Sequence, residues 1–333
     1  FATLATIIAS QAIITGAYSL TQQSIQLGFL PRMTVRHTAS HQEGQIYMPF
    51  VNWTLAAGTL GAVIAFGSSD ALGGAYGVAV SLLMAITTVL AALVALKWGY
   101  PPVAVFALNG FFLVIDLIFF AANAVKVLEG GWFPLLLAVS TAFLMLTWRR
   151  GATLVEQARA QIRQPEDEFV AALLAAPPLR LSGTAAVFTA ATTGVPLALT
   201  HNLKHNRVLH ERLLLISGLT TDAPYVDPAK RMKLIDVGGG ITRVVLQFGF
   251  METPDITQGL QLICEQPEFH DLDPRQLTYY FRRETVIPAG KLRGMAAWRK
   301  SLFTAMHLNA HRSASYFGVP AAQVIEIGLE VEI

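Results

Sequence analysis

Between Phe1 and Thr147 the chain carries only eight formal charges, on Arg32, Arg36, Glu43, Asp70, Lys97, Asp116, Lys126 and Glu129, while the remaining 186 residues carry the other 38. A charged side chain at a bilayer centre costs at least about 2.5–3.5 kcal/mol, so so bare a stretch is built for hydrocarbon and the charged remainder for water. This excludes reading 333 residues as two or three soluble domains, because that length prior assumes water on every side. The net charge of +2 favours no class of partner, and no nucleic-acid partner is expected. The single cysteine, Cys264, cannot form an internal disulfide and fits a reducing compartment. The chain opens on Phe1 without a charged n-region, so nothing reads as a signal peptide and the expectation is a fragment whose start is missing.

A helix crossing about 30 Å of hydrocarbon needs about 20 mainly apolar residues. Five runs qualify, at about 1–24, 50–67, 72–97, 102–123 and 131–149, giving a membrane domain over 1–150. Lys and Arg accumulate on the cytoplasmic side. Arg32, Arg36, Lys97, Arg149 and Arg150 fall in one set of connections and only Lys126 in the other, so the C-terminus is expected in the cytoplasm. The alternative, a soluble bundle of apolar helices, would need another domain to cover five such surfaces.

Residues 151–181 read as an amphipathic connecting helix and linker closed by Pro177 and Pro178, and 182–333 as an α/β domain. Strands are expected over 185–190, 212–219, 232–237, 241–250, 277–287 and 324–333, and helices over 196–208, 255–265 and 294–310. Pro196 and Pro254 suit a first helical turn. Gly238, Gly239 and Gly240 read as a hairpin turn, since they lack the spacing and the following helix of a phosphate cradle.

Three polar features bear on function. On the first span, Gln11, Thr15, Ser19 and Gln22 fall on one helical stripe at 100° per residue, with Thr3, Thr6 and Ser10 on an adjacent one. Such a face either lines a solvated cavity, where neutral oxygens replace the water shell of a cation, or packs closely through Ala9, Ala12 and Gly16 with its hydroxyls bonded to their own helix. Asp116 is the one carboxylate deep in an apolar run, and is either a proton carrier or ion ligand, or hydrogen-bonded to Asn109, Asn123 or another helix. His201 and His205 have a zinc-compatible i, i+4 spacing but no evident third ligand, with His210 beyond the helix end. With Lys204 and Arg207 they suit contact with membrane-domain loops or an anionic partner.

Whole stretches resemble one family. ATLATIIASQAIITGAYSLTQQSIQLGFLPR, RHTASHQEGQIYMPFVNW and FGSSDALGGAYGVAVSLLM are similar to the eighth helix, the loop into the ninth and the entry to the tenth helix of the Kup (HAK/KUP/KT) potassium transporters. HNLKHNRVLHERLLLISGLTTDAPYV, FGFMETPDI and VIEIGLEVEI resemble that family's soluble part. The resemblance implies helices 8 to 12 of a polytopic α-helical membrane protein of the amino acid–polyamine–organocation superfamily, with a LeuT-like inverted-repeat fold and a C-terminal cytosolic α/β domain. It implies uptake of K+ coupled to H+ across the bacterial inner membrane, a homodimer formed through the cytosolic domain, and control in some members by a cyclic dinucleotide. It also places Ser10, Gln11, Thr15 and Ser19 beside the ion path and Asp116 on a peripheral helix. No cofactor, and no metal beyond the transported K+, is expected. A carrier of another solute, such as an amino acid, uses the same scaffold. A membrane-anchored enzyme or sensor lacks support, because no nucleophile elbow, P-loop, metal set or acid pair is present.

Overall fold

A computed structural model describes residues 1–37, 46–221, 223–252, 256–287, 294–310, 319 and 321–332. Residues 38–45 of the exit loop, Pro254 and Ile333 lie outside that set. The described residues divide into two compact units, one formed by 49–145 and the other by 1–48 with 146–333.

The unit 49–145 holds α2 (Pro49–Phe66), α3 (Ser69–Lys97), α4 (Pro102–Ala124) and the first part of α5 (Trp132–Ile162). Helix α3 begins where the Ser68 hydroxyl accepts the Ala71 N–H at 3.4 Å, with Asp70 in its first turn and Lys97 in its last. These charges complement the helix dipole and sit at the ends of the apolar run. Pro102 opens α4, where its missing N–H costs nothing. With α1 (Ala2–Gln26), five helices are long and apolar enough to cross a membrane, and their large side chains, such as Ile64, Leu93 and Phe111, point outward.

The fifth apolar run does not stop at Arg149 and Arg150. Helix α5 continues through both arginines and Gly151 to Ile162, so the first part of the expected 151–181 connector and the fifth span are one element of 31 residues. The break comes at Pro165, which cannot donate and disfavours helical backbone at Gln164. A short helix, α6 (Glu166–Ala175), follows.

In the other unit, β1 (Arg36–His37) pairs with β2 (Ile46–Tyr47) beyond α1. The C-terminal part then runs β3 (Leu179–Thr189), α7 (Leu197–Asn206), β4 (Val208–Thr221), β5 (Met232–Gly238), β6 (Ile241–Gly249), α8 (Ile256–Cys264), β7 (Thr278–Ile287), α9 (Ala297–Leu308) and β8 (Val324–Glu332). The strand order is β5-β6-β4-β3-β7-β8, parallel except for β5. Each expected strand is present. However, β3 and β4 begin about six and four residues early, because parallel pairing from Leu179↔Val208 extends them past what their apolar cores suggest.

Leu213, Leu214, Leu215 and Ile216 are all about 1% exposed, the continuous apolar run of a strand covered on both faces. Leu214 and Ile216 pack with Phe188, Phe248 and Ile263, while Leu213 and Leu215 pack with Phe169, Leu173 and Leu199. Each such side chain contributes about 1.5–3 kcal/mol by burial. A third cluster joins Leu154 and Val155 of α5 to Val286, Phe303 and Val331. The β5–β6 turn holds Gly238, Gly239 and Gly240 at φ 92°, 63° and 80°, which side chains resist. Helix α7 ends at Asn206 rather than Val208, with Arg207 in the left-handed conformation at φ 56°.

Candidate functional site

The hydroxyls of the first stripe turn back on their own helix. Thr15 Oγ1 donates to the Gln11 carbonyl at 2.9 Å and Ser19 Oγ to the Thr15 carbonyl at 3.1 Å. Thr21 and Ser24 do the same to Ala17 and Leu20. Such back-bonding satisfies the donors while leaving oxygen lone pairs free to accept or ligate. Among the described residues, the Gln11 amide and the Ser10 hydroxyl make no hydrogen bond, and both face outward from this chain. The stripe can therefore offer neutral oxygens along one face, exposed at Gln11 and Thr15 and half-buried at Ser19 and Gln22. At the C-terminal end of α1, Gln26 Nε2 donates to the Glu252 carbonyl at 2.7 Å, tying α1 to the turn after β6.

Asp116 is 5% exposed and accepts from Thr88 Oγ1 of α3 at 2.5 Å. Of the three sequence alternatives for its partner, another helix is the one observed. The asparagines are engaged elsewhere: Asn109 Nδ2 donates to the Val105 carbonyl at 3.0 Å and Asn123 Nδ2 to the Phe119 carbonyl at 2.9 Å. Asp116 belongs to the unit 49–145 and the stripe to the other.

In the C-terminal part the His201 and His205 rings lie 5.9 Å apart on α7. Among the described residues no three His, Cys, Asp or Glu side chains converge as a metal site. Lys204 and Arg207 line a groove of about 530 Å³ with Phe169, Leu173 and Leu203.

Two clusters escaped the sequence reading. Arg243 on β6 is 1% exposed and donates to the Ala191 and Gly194 carbonyls, the latter at 2.7 Å, and to the Glu166 carboxylate. It thereby fastens α6 and the β3–α7 loop to the sheet. The second cluster gathers Glu156 and Arg159 of α5, and Arg163 just past its end, with Arg282 and Glu284 of β7. Burial opposes ionisation of Glu284, yet the hydrogen bonds and charge of Arg159, helped by Arg282 and His307, hold its carboxyl below the usual carboxylate range. The available signal was the charged run Arg282, Arg283 and Glu284, whose first and last members share a face, in the middle of the strand TYYFRRETVI, and Arg243 inside ITRVVLQFG.

Compared with known proteins, residues 1–153 match the family model described as the K+ potassium transporter integral membrane domain, and residues 182–333 the one described as the K+ potassium transporter C-terminal domain. Three relatives, each matched by 100% of this chain, are named probable potassium transport system proteins. These are Kup 3 of Bradyrhizobium diazoefficiens (58% identical, 54% of its length covered), Kup 1 of Cupriavidus necator (48%, 52% covered) and Kup 1 of Rhodopseudomonas palustris (46%, 53% covered). The chain thus spans about half the length of the curated relatives it matches. No solved structure gives a significant match. With the two family matches leaving out only residues 154–181 between them, the chain belongs to the Kup family of potassium transporters.

Proposed function

We propose that this chain is the C-terminal half of a permease that takes up K+ together with H+. The observation that carries this reading is the succession, along one chain, of five apolar helices and a sheet domain matching the two family models in that order. The relatives' names supply the ion. Proton coupling, the superfamily's LeuT-like inverted-repeat fold and a site at the bilayer midplane follow from the family resemblance. On this reading residues 1–150 are the membrane domain, 151–181 the connector and 182–333 a cytosolic domain that dimerises and responds to a regulator such as a cyclic dinucleotide. The distribution of Arg32, Arg36, Lys97, Arg149 and Arg150 against Lys126 supports a cytoplasmic C-terminus in the bacterial inner membrane.

Ser10, Gln11, Thr15 and Ser19 form one wall of the ion path. Oxygens on a fixed helical face compensate the lost hydration of K+ without adding charge to the membrane. Asp116, held by Thr88, serves helix packing. The test is growth of a strain lacking potassium uptake, at low potassium, when it expresses the longer protein that carries this sequence. Restored growth is the expected result, and failure with normal membrane expression sinks the reading. Rubidium influx that does not acidify the cell would remove the proton.

A further inference from the structure

Strand β3 has β4 on one side and β7 on the other: the chain leaves β3 for β4 and, after β6, returns to the opposite side of β3 as β7, which makes the β3/β7 boundary a switch point. Its pairing with β7 is short, from Ala185↔Thr278 to Val187↔Tyr280, although β3 runs to Thr189 and β7 to Ile287. In open parallel sheets the crevice outside the carboxyl ends of the strands, at such a switch point, is where ligands bind. Arg282 and Glu284 lie just past the last pair, two apart and hence on one face.

Helix α5 brings Glu156 and Arg159 to this end, and Arg163 follows directly after its last residue. Arg159 grips both carboxylate oxygens of Glu284, Nε to Oε1 at 2.9 Å, and also reaches Glu156 at 3.1 Å. Arg163 donates to the other oxygen of Glu156 at 2.7 Å and packs against Gly194 in the β3–α7 loop. Three guanidinium groups therefore share two carboxylates. The one left over is Arg282: its side chain is only 20% exposed, it makes no hydrogen bond among the described residues, and its nearest anion is Glu284 at 3.8 Å, already held by Arg159. A guanidinium this shielded keeps only part of its hydration, and a ligand that accepts from it replaces what is lost.

We propose that the crevice at the carboxyl ends of β3 and β7 is a binding site for a phosphoryl oxyanion, with Arg282 as its primary donor and Arg163 as the neighbouring cation. A guanidinium presents paired donors that match phosphate oxygens, and the anion cancels the excess positive charge of the cluster. Burial, reinforced by repulsion from Arg159 and only partly offset by Glu284, pushes Arg282 down to about 10, as a cation awaiting an anion would be. Because Arg159 stands on the helix that continues the fifth apolar run and Arg163 follows its last residue, occupancy acts directly on that helix. The site does not depend on the transport reading, and its phosphoryl group can come from inorganic phosphate or from a nucleotide.

The experiment measures thermal unfolding and equilibrium binding of the chain, purified in detergent, with inorganic phosphate or AMP against chloride at equal ionic strength. Saturable stabilisation by phosphate or AMP beyond chloride is expected. AMP binding about 10-fold tighter or more identifies a nucleotide source, and equal binding a free phosphate. Arg282→Gln should weaken binding about 10-fold or more, and Arg282→Lys should restore part of it. No stabilisation beyond chloride by either anion, or unchanged affinity in Arg282→Gln, overturns the site. Should Arg282→Gln not fold, Arg163→Gln replaces it, and unchanged affinity there overturns the site equally.

Discussion

Arg159 on α5 and Glu284 on β7 form a two-pronged ion pair that fastens a helix continuous with an apolar span to the sheet. Their side chains are 15% and 6% exposed, so solvent screens the pair little. Glu284→Gln leaves Arg159 with Glu156 alone and removes the anion nearest Arg282. Removing one partner of a buried pair costs about 3 kcal/mol or more. Denaturation of the purified chain should show that loss, together with faster proteolysis around Arg163–Pro165. Unaltered stability would mean that the apolar contacts of Leu154 and Val155 hold α5 by themselves.

The same face carries a pH response. His307 of α9 stacks on Trp148 with ring centroids 6.2 Å apart, beside Phe303, and faces Glu284, Arg159 and Arg282. Burial pushes its imidazole below its ordinary 6.5 despite Glu284, and burial lowers His210 as well. The unfolded chain then binds these protons more readily, so the contribution is whole above pH 6.5 and lost as pH falls through the folded values. Glu284, held below its ordinary 4.5, contributes fully above that pH and loses its contribution below it. Acid titration of stability should fall in two steps. His307→Gln should shallow the first and spare the second; an unchanged first step would assign it to His210.

Gly151 inverts the usual rule for glycine in helices. Replacing an exposed helical glycine by alanine gains about 1 kcal/mol. At Gly151 the added methyl overlaps the ring of Phe303, which is 1% exposed. Overpacking costs about 1–3 kcal/mol, so Gly151→Ala should lower the melting temperature. Adding Phe303→Leu should recover part of that loss, because the smaller side chain vacates the overlap.

For Asp116, the hydrogen bond from Thr88 predicts a packing role. Thr88→Val should destabilise the helix pair by about 0.5–2 kcal/mol, the range of interhelical hydrogen bonds in membranes. Asp116→Asn keeps an acceptor for Thr88, and the longer protein bearing it should retain rubidium uptake. Loss of uptake at normal expression would place Asp116 on a proton route.

Gln11→Leu is the corresponding change on α1. It removes the amide without disturbing the Thr15 bond, which goes to the backbone carbonyl. Uptake by the longer protein should fall several-fold with its membrane abundance unchanged, whereas full uptake would assign Gln11 to packing.

What the sequence determined by itself was whatever depends on solvent. Eight charges in 147 residues sufficed for five apolar helices, since transfer energies are local and additive along a run. The central strand was legible because Leu213 to Ile216 are apolar without interruption. The tertiary structure decided whatever depends on partners distant in the chain. It joined α5 through Arg149 and Arg150 into one helix, gave Asp116 to Thr88 rather than to an asparagine, and assembled Arg159, Arg163, Arg282 and Glu284 from segments about 120 residues apart. A charge pattern records how each residue meets solvent, but an ion pair or a crevice exists only once strand order and register bring its members together.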